Sequence, residues 1–129
     1  MSTAHKQTLT RNERIKGLKA VEQLFHNKAS HSLVAFPLRL VYVEQERKED
    51  DPEARILVSA PKRQLRHAIS RNRAKRQMRE AYRLNKQLLS VPEDKTLLLG
   101  FVWIDSKLHD SNIVADCMRS LLRRLGGRL

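Results

Sequence analysis

Sulfur and aromatic rings are scarce in this chain. A single cysteine, Cys117, stands among 129 residues. It excludes an internal disulfide and any zinc site built on paired thiolates, and it fits a reducing compartment. With three Phe, two Tyr and one Trp in all, an aromatic spent on binding is one withheld from the core. No uninterrupted apolar run approaches the ~20 residues that a membrane-crossing helix needs. The opening MSTAHKQTLTRNERIK lacks the apolar centre of a secretion signal, so cytoplasm is the expected compartment. The five histidines (His5, His26, His31, His67, His109) share no motif. Carboxylates do not gather at the ends of core strands, where a two-metal site would require them. Asp105 and Asp110 flank the last apolar run and read as capping or loop groups rather than ligands. Catalysis by the polypeptide itself is not expected.

What is present in excess is positive charge. Lys and Arg number 26 against 14 acids, for a net charge of +12. The excess is segregated: from Lys62 to Lys86 there are ten cations and one acid, Glu80, a local balance of +9 (10 − 1). Residues 44–53 hold six acids beside Arg47 and Lys48. A merely solvated helix interleaves acids at i+4 spacing, and here they are almost absent. Such a patch favours a phosphate-rich partner, nucleic acid before membrane or acidic protein.

Periodicity places the elements of one domain. Residues 1–13 are expected to form a flexible leader and 14–129 the folded domain. A first helix is expected over 14–25, with Ile15, Leu18, Val21, Leu24 and Phe25 at helical spacing, followed by a polar turn over 27–32. Residues 36–43 read as a strand with Phe36, Leu38, Leu40 and Tyr42 on one face. Pro37 puts its start at an edge. Residues 55–60 read as a second strand, and the two make a plausible antiparallel hairpin across the acidic stretch. Residues 96–104, TLLLGFVWI, are apolar on both faces, as suits a central strand. Ser111 can cap a last helix through Leu125, with Val114, Cys117, Met118, Leu121 and Leu125 facing the core and Gly126 and Gly127 ending it. The expected class is α+β in the order α-β-β-α-β-α.

The second helix carries the chemistry. Residues 71–83, RNRAKRQMREAYR, contain no Pro, Gly or β-branched residue to oppose helix formation. Ser70 is its expected N-cap. Arg71, Asn72, Lys75, Arg76, Arg79, Arg83 and Lys86 share one arc, and Ala74, Met78, Ala81, Leu84 and Leu88 gather on another. Guanidinium forks bind phosphate oxygens bidentately and keep their charge at any relevant pH. Arg73 lies off the main arc, where it could instead brace the helix through backbone carbonyls.

The run Arg71-Asn72-Arg73, Lys75-Arg76, Arg79-Glu80-Ala81-Tyr82-Arg83 resembles the signature of the bacterial ribonuclease P protein subunit. Ser59 with Lys62-Arg63, and Leu24-Phe25 on the first helix, match further elements of that family. The resemblance covers about residues 14–125. Three departures stand out. Gln64, Leu65 and Arg66 replace a glycine after the basic pair, Val21 replaces an aromatic, and Asn27 or Lys28 replaces a second glycine.

The resemblance implies a small central sheet with a left-handed β-α-β crossover, against the usual right-handed rule. It also implies a partner, the catalytic RNA of ribonuclease P, which holds the Mg2+ ions and removes the 5′ leader from precursor tRNA. Arg71, Asn72, Arg73, Lys75, Arg76, Arg79 and Arg83 would contact that RNA. The leader would lie between the first helix and the open sheet face, at Phe25 and Phe36 with Val21, Arg39, Ser59 and Lys62. Phe25 and Phe36 carry two readings, stacking platform or core, whereas Trp103 and Cys117 read as core. The alternatives for a basic chain of this size are a ribosomal-type structural RNA-binding protein, a DNA-binding regulator and a protein-only nuclease. No membrane partner and no DNA are expected.

Overall fold

The computed structural model describes residues 24–25 and 30–129. Leu24 and Phe25 are helical, and the rest of the expected first helix, Val21 included, lies outside the described residues together with the expected leader. Then follow β1 (His31–Ala35), β2 (Leu38–Glu46), β3 (Ala54–Ser59), α1 (Ala68–Asn85), a 3-10 turn (Lys86–Leu88), β4 (Lys95–Trp103) and α2 (Ser111–Gly126). The strands form one mixed sheet in the order β1-β2-β4-β3. β2 runs antiparallel to both β1 and β4, whereas β3 runs parallel to β4. The α+β class and the single small domain stand, with one strand more than the sequence pattern implied.

Two expectations need correction. β1 begins within the stretch assigned to a polar turn, at His31 and Ser32, and the hairpin is formed by β1 and β2 around a cis Phe36–Pro37 bond. Phe36 therefore sits in the turn and not on a strand face. The second correction follows from β4, which inserts between β2 and β3 and keeps them from pairing. A parallel β3–β4 pair needs a crossover of at least a dozen residues, and α1 supplies it.

Alternation explains the layering. Leu38, Leu40 and Tyr42 of β2, Ile56 and Val58 of β3, and Leu97, Leu99, Phe101 and Trp103 of β4 bury one face of the sheet. Ala74, Met78, Ala81 and Tyr82 of α1 and Val114, Met118, Leu121, Leu122 and Leu125 of α2 close over it. Among the described residues the other face carries a smaller cluster, Leu24 over Val41, Val43 and Leu98, flanked by Phe25 and Leu57. β4 is thus buried on both sides, as its sequence required. The exposed edge of β1 is partly covered by Arg124, whose Nη1 donates to the Val34 carbonyl at 2.7 Å.

Candidate nucleic-acid interface

The apolar stripe of α1 turns its basic side to solvent. Ala74, Gln77, Met78, Ala81, Tyr82 and Asn85 are buried, so the opposite arc presents Asn72, Arg73, Arg76 and Arg79, with Arg71, Lys75 and Arg83 half-buried at its margins. Leu84, expected inside, is 41% exposed. The one acid is neutralised within the helix: Nε of Arg83 donates to Oε2 of Glu80 at 3.1 Å. That hydrogen bond holds the Glu80 carboxyl below its ordinary value and raises the Arg83 guanidinium. Arg73, Lys75 and Arg76 have no acidic partner among the described residues. Their charge is available to an anion.

The start of α1 differs from expectation. Its N-cap is His67, in extended conformation and without a side-chain cap bond, rather than Ser70. The backbone bond from Arg71 N to His67 O (3.1 Å) already belongs to the helix. Arg73 is exposed, and the guanidinium that returns to backbone carbonyls is that of Arg71: its Nη1 donates to Leu65 O at 3.0 Å and to Arg66 O at 2.8 Å. Gln77, not singled out in the sequence, ties α1 to the start of α2, its Nε2 donating to His109 O (2.9 Å) and Ser111 Oγ (3.1 Å). A glutamine in the middle of an apolar stripe was the available signal.

A second surface lies on the sheet face away from α1 and α2. Strand register aligns Val34, Arg39, Val102 and Ser59 in one row across all four strands. Four strands at ~4.8 Å spacing make this row about 14 Å long. Arg39 and Val34 are exposed, Val102 and Ser59 half-buried. The neighbouring row holds Val41, Gly100 and Leu57. A Cβ on Gly100 would stand 2.7 Å from Leu24 Cδ2 and 3.0 Å from Phe25 Cζ. The missing side chain is what admits these two residues onto the strand, and it seats Phe25 beside the open row. Arg39, Ser59 and Phe25 are therefore brought together, and Lys62 follows three residues beyond Ser59, exposed.

Phe36 is not part of that group. Its ring, 59% exposed, meets His109 edge-on at 6.1 Å, and its carbonyl accepts from Cys117 Sγ at 3.3 Å. It belongs to the α2 side of the hairpin. Trp103 is fully buried, stacks edge-on with His109 at 5.7 Å and donates from Nε1 to Lys107 O at 3.1 Å. His109 Nε2 lies 2.6 Å from Asp105 Oδ2, and this contact is the main reason the Asp105 carboxyl sits below its usual range.

The acidic connection opens β3 while the basic one leaves it, so a six-residue strand separates the two charges by about 20 Å. Asp51 pairs with Arg55 at 2.9 Å, and the backbone N–H of Lys48 is the leading cause of its lowered pKa. Among the described residues no three His, Cys, Asp or Glu side chains gather as metal ligands, and no helix is long and apolar enough to cross a membrane.

A family model for ribonuclease P matches residues 9–126 of the chain. The ribonuclease P protein component of Porphyromonas gingivalis is 33% identical over 125 residues, spanning 94% of this chain and 88% of its own. That of Chlorobium phaeobacteroides is 35% identical over 91 residues, 69% of this chain and 61% of its own. The solved structure of the RNase P protein from Thermotoga maritima has the same fold, with a TM-score of 0.67 at 21% identity over 87% of this chain and 96% of that one.

Proposed function

The chain belongs to the ribonuclease P protein family, and from that premise we propose that it is the protein subunit of a ribonucleoprotein that removes the 5′ leader of precursor tRNA. The observation that carries the reading is the solvent arc of α1, where Arg73, Lys75 and Arg76 stand without acidic partners among the described residues. These cations, with Asn72, Arg79 and Arg83, contact phosphates of the catalytic RNA. Phosphate contacts fix position and register while carrying little sequence information, which suits a protein that orients a folded RNA.

The row Val34–Arg39–Val102–Ser59 takes the single-stranded leader. Phe25 offers a ring to a base, Arg39 and Lys62 follow the backbone, and stacking tolerates any sequence. Phe36 offers a separate ring at the hairpin tip. The protein breaks no bond itself. Mg2+ is held by the RNA, and the complex acts in the cytoplasm without DNA or membrane partners.

Reconstitution tests this. The protein is added to a bacterial ribonuclease P RNA at low Mg2+ with labelled precursor tRNA. Cleavage at the mature 5′ end is expected only with both components present. Cleavage by the protein alone would mark it as a nuclease, and an absence of enhancement would favour a purely structural RNA-binding role. Arg73→Ala or Arg76→Ala should weaken assembly and lower the logarithmic salt slope by about 0.7–0.9 per lost phosphate contact.

A further inference from the structure

The connection between β3 and α1 is as basic as the helix it feeds. Lys62, Arg63, Arg66 and His67 are all exposed there. Such a segment would ordinarily sample many shapes, and ordering it against an RNA would cost conformational entropy. Here it is already folded. Gln64 N and Leu65 N both donate to Pro61 O, at 3.0 and 3.1 Å, and the Leu65 side chain is buried in the core. Two further carbonyls of the turn, those of Leu65 and Arg66, accept from Nη1 of Arg71. One nitrogen with two hydrogens thus closes the turn against the first turn of α1.

We infer that this connection is a preformed phosphate-binding rim for the partner RNA and that Arg71 is its positioning residue. The inference rests on the RNA-binding reading above and assigns a new role within it. Arg63 and Arg66 supply the charge, and Arg71 holds their backbone in one register. Both bonds leave one nitrogen, Nη1, whose two N–H directions are fixed by the planar guanidinium. A lysine keeps the charge but presents a single flexible ammonium in its place. Arg71 therefore acts through the rim, whereas Arg73 and Arg76 act on the RNA directly.

Charge-preserving substitution and a double-mutant cycle separate the two modes. Binding of the full chain to a ribonuclease P RNA transcript is measured at fixed salt for Arg71→Lys, Arg71→Ala, the pair Arg63→Ala/Arg66→Ala, and all three changes together. Arg71→Lys and Arg71→Ala should each weaken binding by about tenfold. Once Arg63 and Arg66 are gone, Arg71→Ala should add less than about twofold. Hydrogen exchange of the 62–67 amides in the free protein should accelerate in both Arg71 variants and leave β4 protected, which also reports that they fold. Wild-type binding by Arg71→Lys, a full additive loss in the combined variant, or unchanged exchange would overturn the inference. Arg76→Ala is the control for the underlying reading. If it leaves binding intact, the whole basic surface loses its assignment. If it weakens binding while the Arg71 results are adverse, only the role of Arg71 falls.

Discussion

The two faces of the sheet do different work with the same backbone. The helix-covered face is apolar across its centre, and Phe101, Trp103, Leu40 and Leu99 there have no solvent exposure. Among the described residues the opposite face has its apolar patch where Leu24 and Phe25 lie, with Arg39 exposed and Val102 and Ser59 half-buried beside it. Both faces belong to the same strands, so a single β4 residue step moves from stability to recognition: Phe101 points into the core and Val102 into the open row. Stability and binding are thereby separable by mutation.

The largest effect should come from the closed face. Phe101→Ala removes a fully buried ring and should cost about 3–5 kcal/mol in urea unfolding. Where the variant is still folded, its preference for leader-bearing over mature tRNA should be unchanged; a selective loss of that preference would break the division of labour. Gly100→Ala probes the boundary between the faces. Its new Cβ must displace Leu24 and Phe25, so we expect about 1–3 kcal/mol of destabilisation and a weaker preference for the leader, while affinity for the catalytic RNA persists.

Smaller effects sharpen the contrast. Phe25→Ala should reduce leader preference by about 1–3 kcal/mol, one base stack, read as the ratio of affinities for the two tRNA forms. Equal loss for both would indicate a folding defect. Arg39→Ala should change unfolding free energy by no more than about 0.5 kcal/mol and flatten the salt dependence of leader binding. The smallest effect lies in the loop beyond β4. The Asp105 carboxyl is held low in the folded state by His109, so the unfolded chain binds its proton more readily. Its contribution is present above the ordinary carboxylate range and is lost as pH falls through the folded-state value. Asp105→Asn should lessen the acid-side decline of stability, measured by urea unfolding from neutral to acid pH.

Where the pattern was strong, the sequence was enough. The unbroken apolarity of β4 announced a strand buried on both sides, and the alternation in β2 marked its buried face. The stripe of α1 named Ala74, Met78 and Ala81 as core and thereby turned the arginines outward. β1 escaped notice because HSLVA buries only Leu33, too little alternation to separate a short edge strand from a turn. Gly100 was visible as an isolated glycine within a strand, a sign of close approach, but nothing local said what approached it. Arg71 and Arg73 look alike in a run of arginines. Only the path of the preceding turn distinguishes them.

Composition and periodicity determined by themselves that this would be a basic, single-domain α+β protein with one cationic helix laid on a sheet, because helix and strand faces are set by residue spacing along the chain. The tertiary structure alone decided that β4 would part β2 from β3, that Phe36 would stand away from Phe25, and that one arginine would hold a turn while its neighbour faces solvent. Those outcomes depend on pairings between segments distant in sequence, and spacing within a segment carries no information about which other segment it will meet.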